Sequence, residues 1–156
     1  MSLKTASADF GKGLLAGFAG TLAITASQTV EAKIRNRPPS SSPADAAGKV
    51  LGVAPTGDAE KQRFSTIVHF GYGTAWGGVR GLLAAGGLRG RQADLVHFAL
   101  VSGSAMLMLP GLKVAPPVKE WGATEIGTNT LHHLVYAFAT GAAYDKIEGE
   151  KPEEKP

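Results

Sequence analysis

Glu125, Asn129, His132 and Tyr136 stand four, three and four residues apart. That rhythm gathers side chains on one face of an α-helix, with His133 and Thr140 on its flank. Similar faces occur three times earlier in the chain: Thr21, Thr25, Gln28 and Glu31; His69, Tyr72 or Gly73, Trp76 and Arg80; and Asp94 and His97 with Ser104 nearby. Three chemistries could use them. Imidazoles on different helices can ligate a haem iron axially, which nominates His69, His97, His132 and His133 as cofactor ligands. Carboxylates with an imidazole can bind a metal, which nominates Glu31, Glu125 and His132. Histidine titrates near neutral pH, so a chain through Glu31, His69, His97, Glu125 and His132 could move protons or ions. The plainer alternative is structural: Gln28, Glu31, His69, Arg80, His97, Glu125, Asn129, His132 and Tyr136 would form a polar network that holds helices together.

Several chemistries are excluded or unsupported. With no cysteine in the chain, disulfides, thiolate metal sites, iron–sulfur clusters and cysteine nucleophiles are ruled out. The Glu-x-x-His spacing of di-iron bundles is missing, since Glu125 lies seven and eight residues before His132 and His133. Ser102 and Ser104 have no nucleophile-elbow context, and Gly71-x-Gly73 does not follow a strand. No haem-attachment or zinc-protease motif occurs, so neither a haem nor a metal is required, and no catalytic residue is assigned. A net charge of +3, with the basic residues dispersed, argues against a nucleic-acid partner.

The elements that must position these residues follow from charge. All 29 charged residues fall outside four stretches, 13–30, 64–79, 95–112 and 126–144, each 16 to 19 residues long. A helix needs about 20 largely uncharged residues to cross a bilayer. The pattern therefore predicts an all-α protein, a four-helix transmembrane bundle in a single domain over 1–156. The stretches are rich in Gly, Ala, Ser and Thr, which weakens their hydropathy. Small residues also let helix backbones approach closely where lipid supplies no hydrophobic drive, and Gly13-Leu-Leu-Ala-Gly17, Gly73-Thr-Ala-Trp-Gly77 and Gly77-Gly-Val-Arg-Gly81 have that form. The rival architecture is a soluble helical bundle.

The first helix should run over about 9–34, capped by Asp9 or Ser7 and ended before Pro38-Pro39. Lys4 and Lys12 before an apolar run resemble a signal peptide, but a retained first membrane helix is the preferred reading. A short helix over about 43–52, with Ser42 as cap, Pro43 in the first turn and Gly52 as terminator, could lie on the membrane surface through Ala44, Ala47, Val50 and Leu51. Further helices are expected over about 64–85, 92–109 (ended by Pro110-Gly111) and 123–147, with a structureless tail over 148–156. Lys119, Glu120 and Trp121 suit the headgroup region. Lys and Arg divide eight against eight between the two sides of such a bundle, so the positive-inside rule assigns no orientation.

The run Ile34-Arg-Asn-Arg-Pro-Pro-Ser40, the stretch His69-Phe-Gly-Tyr-Gly-Thr-Ala-Trp-Gly77, the block Glu120-Trp-Gly-Ala123 and the run His132-His-Leu-Val-Tyr136 resemble uncharacterised bacterial polytopic membrane proteins, distantly of the YagU inner-membrane type. The resemblance spans most of residues 10–147. It implies a multi-pass protein of the bacterial cytoplasmic (inner) membrane and transfers no catalytic residues. The expectation for function is a structural or accessory subunit whose partners are the lipid bilayer and other membrane subunits or further copies of itself. A histidine-ligated haem or metal protein and a proton or ion conductor are the alternatives.

Overall fold

The computed structural model describes residues 3–38 and 40–149. Among them the regular structure is entirely helical: α1 (Leu3–Ile34), α2 (Ser42–Leu51), α3 (Asp58–Ala85), α4 (Gly90–Gly111), a single 3-10 turn (Val118–Glu120) and α5 (Ala123–Gly149). Local signals explain most boundaries. Glu60 Oε2 accepts from the Gly57 backbone N–H at 3.1 Å, and Asp58 joins it in the first turn, where carboxylates favour the helix dipole. That start lies six residues ahead of the uncharged stretch, so α3 is longer than the apolar pattern alone predicts. Gly52, at φ 67°, ends α2 in the left-handed conformation that glycine adopts without strain.

Three expectations are corrected. Asp9 does not cap α1, which starts at Leu3; Asp9 is buried inside the helix and accepts from Lys12 Nζ at 3.3 Å. Pro110 does not stop α4 at Leu109 but sits in its last turn, where its missing N–H forfeits one i→i−4 bond and the helix runs only one residue further. The tail expected from Glu148 onward begins with two helical residues, and 150–156 lie outside the described residues.

The four long helices form a ring in the order α1, α3, α4, α5, with each neighbour antiparallel. Along the α1–α3 seam Thr25 meets His69, while on the other side of α1 Ser27 meets His132 of α5. Farther round the ring Arg80 of α3 meets Asp94 of α4. The α1–α3 seam is set by glycine. A Cβ on Gly17 would fall 2.6 Å from Gly77 Cα and 2.8 Å from Thr74 O, well inside van der Waals contact, so the two backbones touch because neither residue has a side chain.

The interior mixes small apolar side chains with buried polar ones, while large apolar side chains face outward. Arg80, His97, Thr21, Thr140 and Tyr144 are the largest side chains removed completely from the surface, and Asp94, Asp9 and His132 are buried beside them. Large apolar side chains point outward on every long helix, among them Leu15, Phe18, Ile67, Leu95, Leu107, Leu131 and Phe138. By length and composition two helices, α1 and α4, are apolar enough to cross a membrane. At 1.5 Å per residue the 22 residues of α4 span about 33 Å, the thickness of a hydrocarbon core.

Candidate functional site

Two polar assemblies occupy opposite ends of the ring. The first is built on Arg80. Its Nε donates to Asp94 Oδ1 at 2.9 Å and its Nη2 to Asp145 Oδ1 at 3.2 Å. The guanidinium carbon lies 4.7 Å from the centre of the Tyr144 ring, a cation–π contact. Asp94 fits because Gly141 faces it: a Cβ there would fall 2.6 Å from Asp94 Oδ2. Buried charge demands such pairing, since desolvation otherwise exceeds what the fold can offset.

The second assembly faces a cavity of about 1560 Å³. It opens at the end that holds the C-termini of α1 and α4 and the N-termini of α3 and α5. Among the sequence-nominated residues Gln28, His69, Glu125, Asn129, His132, His133 and Tyr136 line it. Their hydrogen bonds define the rings. Thr25 Oγ1 is 2.6 Å from Thr21 O and 2.9 Å from His69 Nε2. A hydroxyl has one proton, and that of Thr25 is committed to the carbonyl, so His69 Nε2–H donates to Thr25. His133 Nδ1–H donates to Asn129 O at 2.8 Å, which leaves its Nε2 with a bare lone pair. His132 Nδ1 pairs with Ser27 Oγ at 2.9 Å; its Nε2 has no hydrogen-bond partner and lies 3.7 Å from Glu31 Oε2, too far for a hydrogen bond.

Glu31 is held from the other side. Arg37 Nε donates to its Oε1 at 3.1 Å and Arg37 Nη2 to its Oε2, while Arg35 Nη1 adds a bond at 3.1 Å. Glu31 lies past the uncharged stretch in the last turn of α1, and these bonds, Arg37's first, hold its carboxyl below the ordinary carboxylate range.

An aromatic layer floors the cavity. Tyr136 Oη donates to Gly73 O at 2.6 Å. The Trp76 and His97 rings lie 6.5 Å apart, and the His97 and Tyr136 rings 5.5 Å. His97 sits beneath that floor, its Nε2 donating to Trp76 O at 3.0 Å. The four histidines therefore do not share one site: three face the cavity and the fourth is behind it. Nor does the expected metal set assemble. Glu31 and His132 adjoin, Glu125 is exposed at the mouth, and among the described residues no group of three His, Asp or Glu side chains is placed to hold a metal ion.

Protein-family models, curated proteins and solved structures give no match to this chain.

Helical spacing singles out Arg80 and Asp94 but does not pair them, and it passes over Asp145. A signal for them exists. Arg80 directly follows the second uncharged stretch, Asp94 directly precedes the third and Asp145 directly follows the fourth. In an alternating bundle those three positions fall at one end. Thr25 and Ser27 escape sequence reasoning as histidine partners, because a hydroxyl within a run of small residues carries no distinguishing pattern.

Proposed function

We propose that the chain is a polytopic protein of the bacterial cytoplasmic membrane, a four-helix transmembrane bundle acting as a non-catalytic accessory subunit. The observation that carries this reading is a buried charged cluster enclosed by helices whose outer faces bear large apolar side chains. Leu107, Ile67 and Leu15 are 79, 70 and 66% exposed while Arg80 is 0% exposed. Water would penalise such an exterior, whereas acyl chains or neighbouring subunits solvate it. The resemblance to YagU-type membrane proteins points the same way, and α1 and α4 have the needed length and apolarity. Within that frame α3 and α5 cross as well, their Thr, His and Gly faces turned to the ring's interior and their Ile67, Leu131 and Phe138 faces outward.

The accessory role is supported by how the polar groups are spent. Thr25–His69, Ser27–His132, Tyr136–Gly73, His97–Trp76 and Arg80–Asp94 each join two helices, the glue function of intramembrane polar residues. An alkaline carbonate wash of membranes should leave the protein in the pellet. Native mass measurement after mild detergent extraction should find it with another membrane subunit or a further copy of itself. A protein released by the wash defeats the membrane placement, and a strictly monomeric, partner-free one defeats the accessory role.

A further inference from the structure

We infer that the cavity at the open end of the ring is a binding site for a long-chain amphiphile bearing a carbonyl oxygen, an acyl lipid or an isoprenoid quinone; this rests on the membrane reading for the ligand's supply. The walls differ in chemistry. On α4 the lining is Val101, Ala105, Met108 and Leu109, whereas the neighbouring α5 presents Asn129 and His132. A chain against α4 with a polar head against α5 matches both.

Two polar groups in the α5 wall lack partners. The Asn129 side-chain nitrogen is buried with no hydrogen-bond partner, and so is His132 Nε2, on a residue only 4% exposed. A carboxamide nitrogen can only donate, so Asn129 calls for an acceptor oxygen. An ester, carboxylate or quinone carbonyl supplies one; His132 Nε2 is turned to Glu31 Oε2, 3.7 Å away, and is left to that carboxylate.

Size points to a chain and against a compact metabolite. Pockets for small molecules usually enclose about 300–1,000 Å³, less than the 1560 Å³ of this cavity. Along α1 the lining runs from Thr21 to Lys33, about 18 Å at the helical rise. The entrance is equipped for the interface. Arg35, Arg37 and Trp121 stand at the mouth, and α2 crosses it, tied to the end of α4 by Lys49 Nζ bonds to Leu112 O at 2.8 Å and Lys113 O at 2.7 Å.

The test uses the two tryptophans. In a Trp121→Phe variant Trp76, in the cavity floor, is the chain's sole indole. Full-length detergent-solubilised protein is titrated with a dibrominated fatty acid and, separately, with a short-chain ubiquinone, both of which quench indole. At least one probe should quench Trp76 saturably and be displaced by its non-quenching analogue; which one does so, with mass spectrometry of amphiphiles that co-purify, separates lipid from quinone. Ala105→Phe, which places a ring in the cavity, should weaken the apparent affinity about tenfold or more. Asn129→Leu, which removes one donor, should weaken it about threefold to tenfold. Circular dichroism monitors folding, and if Ala105→Phe fails to fold, Asn129→Leu decides. Quenching that never saturates, or that is the same in the folded variants as in the parent, reports partition into the micelle and overturns the inference. A protein soluble without detergent would sink the membrane reading while leaving this titration readable.

Discussion

Adding one methyl group to α3 should have opposite effects at two positions six residues apart. At Gly77 a Cβ would stand 2.6 Å from the Gly17 backbone nitrogen, and its other neighbours are backbone atoms of Gly13 and Gly17. Ordinary contacts lie near 3.5–4.0 Å, so α1 and α3 must part by about 1 Å, with no flexible side chain to yield instead. Overpacking costs about 1–3 kcal/mol; the upper end applies because the seam must open along its length, disturbing Thr25–His69. Replacing glycine in a helix returns about 1 kcal/mol of backbone entropy. Gly77→Ala should therefore destabilise by about 2 kcal/mol. At Gly71 a Cβ meets nothing within 4 Å, so only the entropy gain remains and Gly71→Ala should stabilise by up to about 1 kcal/mol. Unfolding by sodium dodecyl sulfate titration in mild detergent, followed by circular dichroism, compares the two directly. If Gly77→Ala is as stable as Gly71→Ala, the backbone contact does not exist and the α1–α3 seam is wrong.

The ion cluster should be asymmetric: Asp94→Asn, which strips the buried partner from Arg80, should cost about 3 kcal/mol, while Asp145→Asn, at a carboxylate 51% exposed, should cost under about 1 kcal/mol, and equal losses in the same titration would contradict the burial difference. Replacing Arg80 and Asp94 together by Met and Leu should recover most of the Asp94→Asn loss, because removing both charges removes the desolvation cost; a double variant less stable than the single would show that the pair is net stabilising. Tyr136→Phe should lose about 1 kcal/mol, the worth of one hydrogen bond to Gly73 O, with an unchanged circular dichroism spectrum. Proteoliposomes should pass protons no faster with the parent chain than with a Glu125→Ala, His132→Ala variant, since the fixed charge of Arg80 lies between the cavity floor and the far end; a pH-dye flux that needs either residue would revive conduction.

The charge-free stretches made the long helices legible because each of the four stretches marks the body of one of them. The inward faces were legible in part: Thr21, His132, Tyr136 and Arg80 follow helical spacing and are buried, whereas Glu125 and Tyr72, on the same faces by spacing, are exposed. Pairings were not legible, because Ser27 with His132 and Thr25 with His69 depend on the ring order α1, α3, α4, α5, and no local pattern encodes which helix stands beside which. The order does have a physical origin in the glycines. Gly13 and Gly17 on α1 can nest only against another run of small residues, and Gly73, Gly77 and Gly81 on α3 offer one with the matching spacing. Gly20, three residues further along α1, turns to Thr140 and Tyr136 of α5, so α1 has a small-residue stripe for each neighbour. The helix α4 lacks such stripes: a Cβ on its Gly103 meets nothing within 4 Å. It is held to α3 near Trp76–His97 and Arg80–Asp94, close to their connection. Farther along, Met108 and Leu109 of α4 line the cavity that opens between the helices. The cavity proposed to bind a ligand thus lies where no glycine of α4 brings a neighbouring backbone into contact.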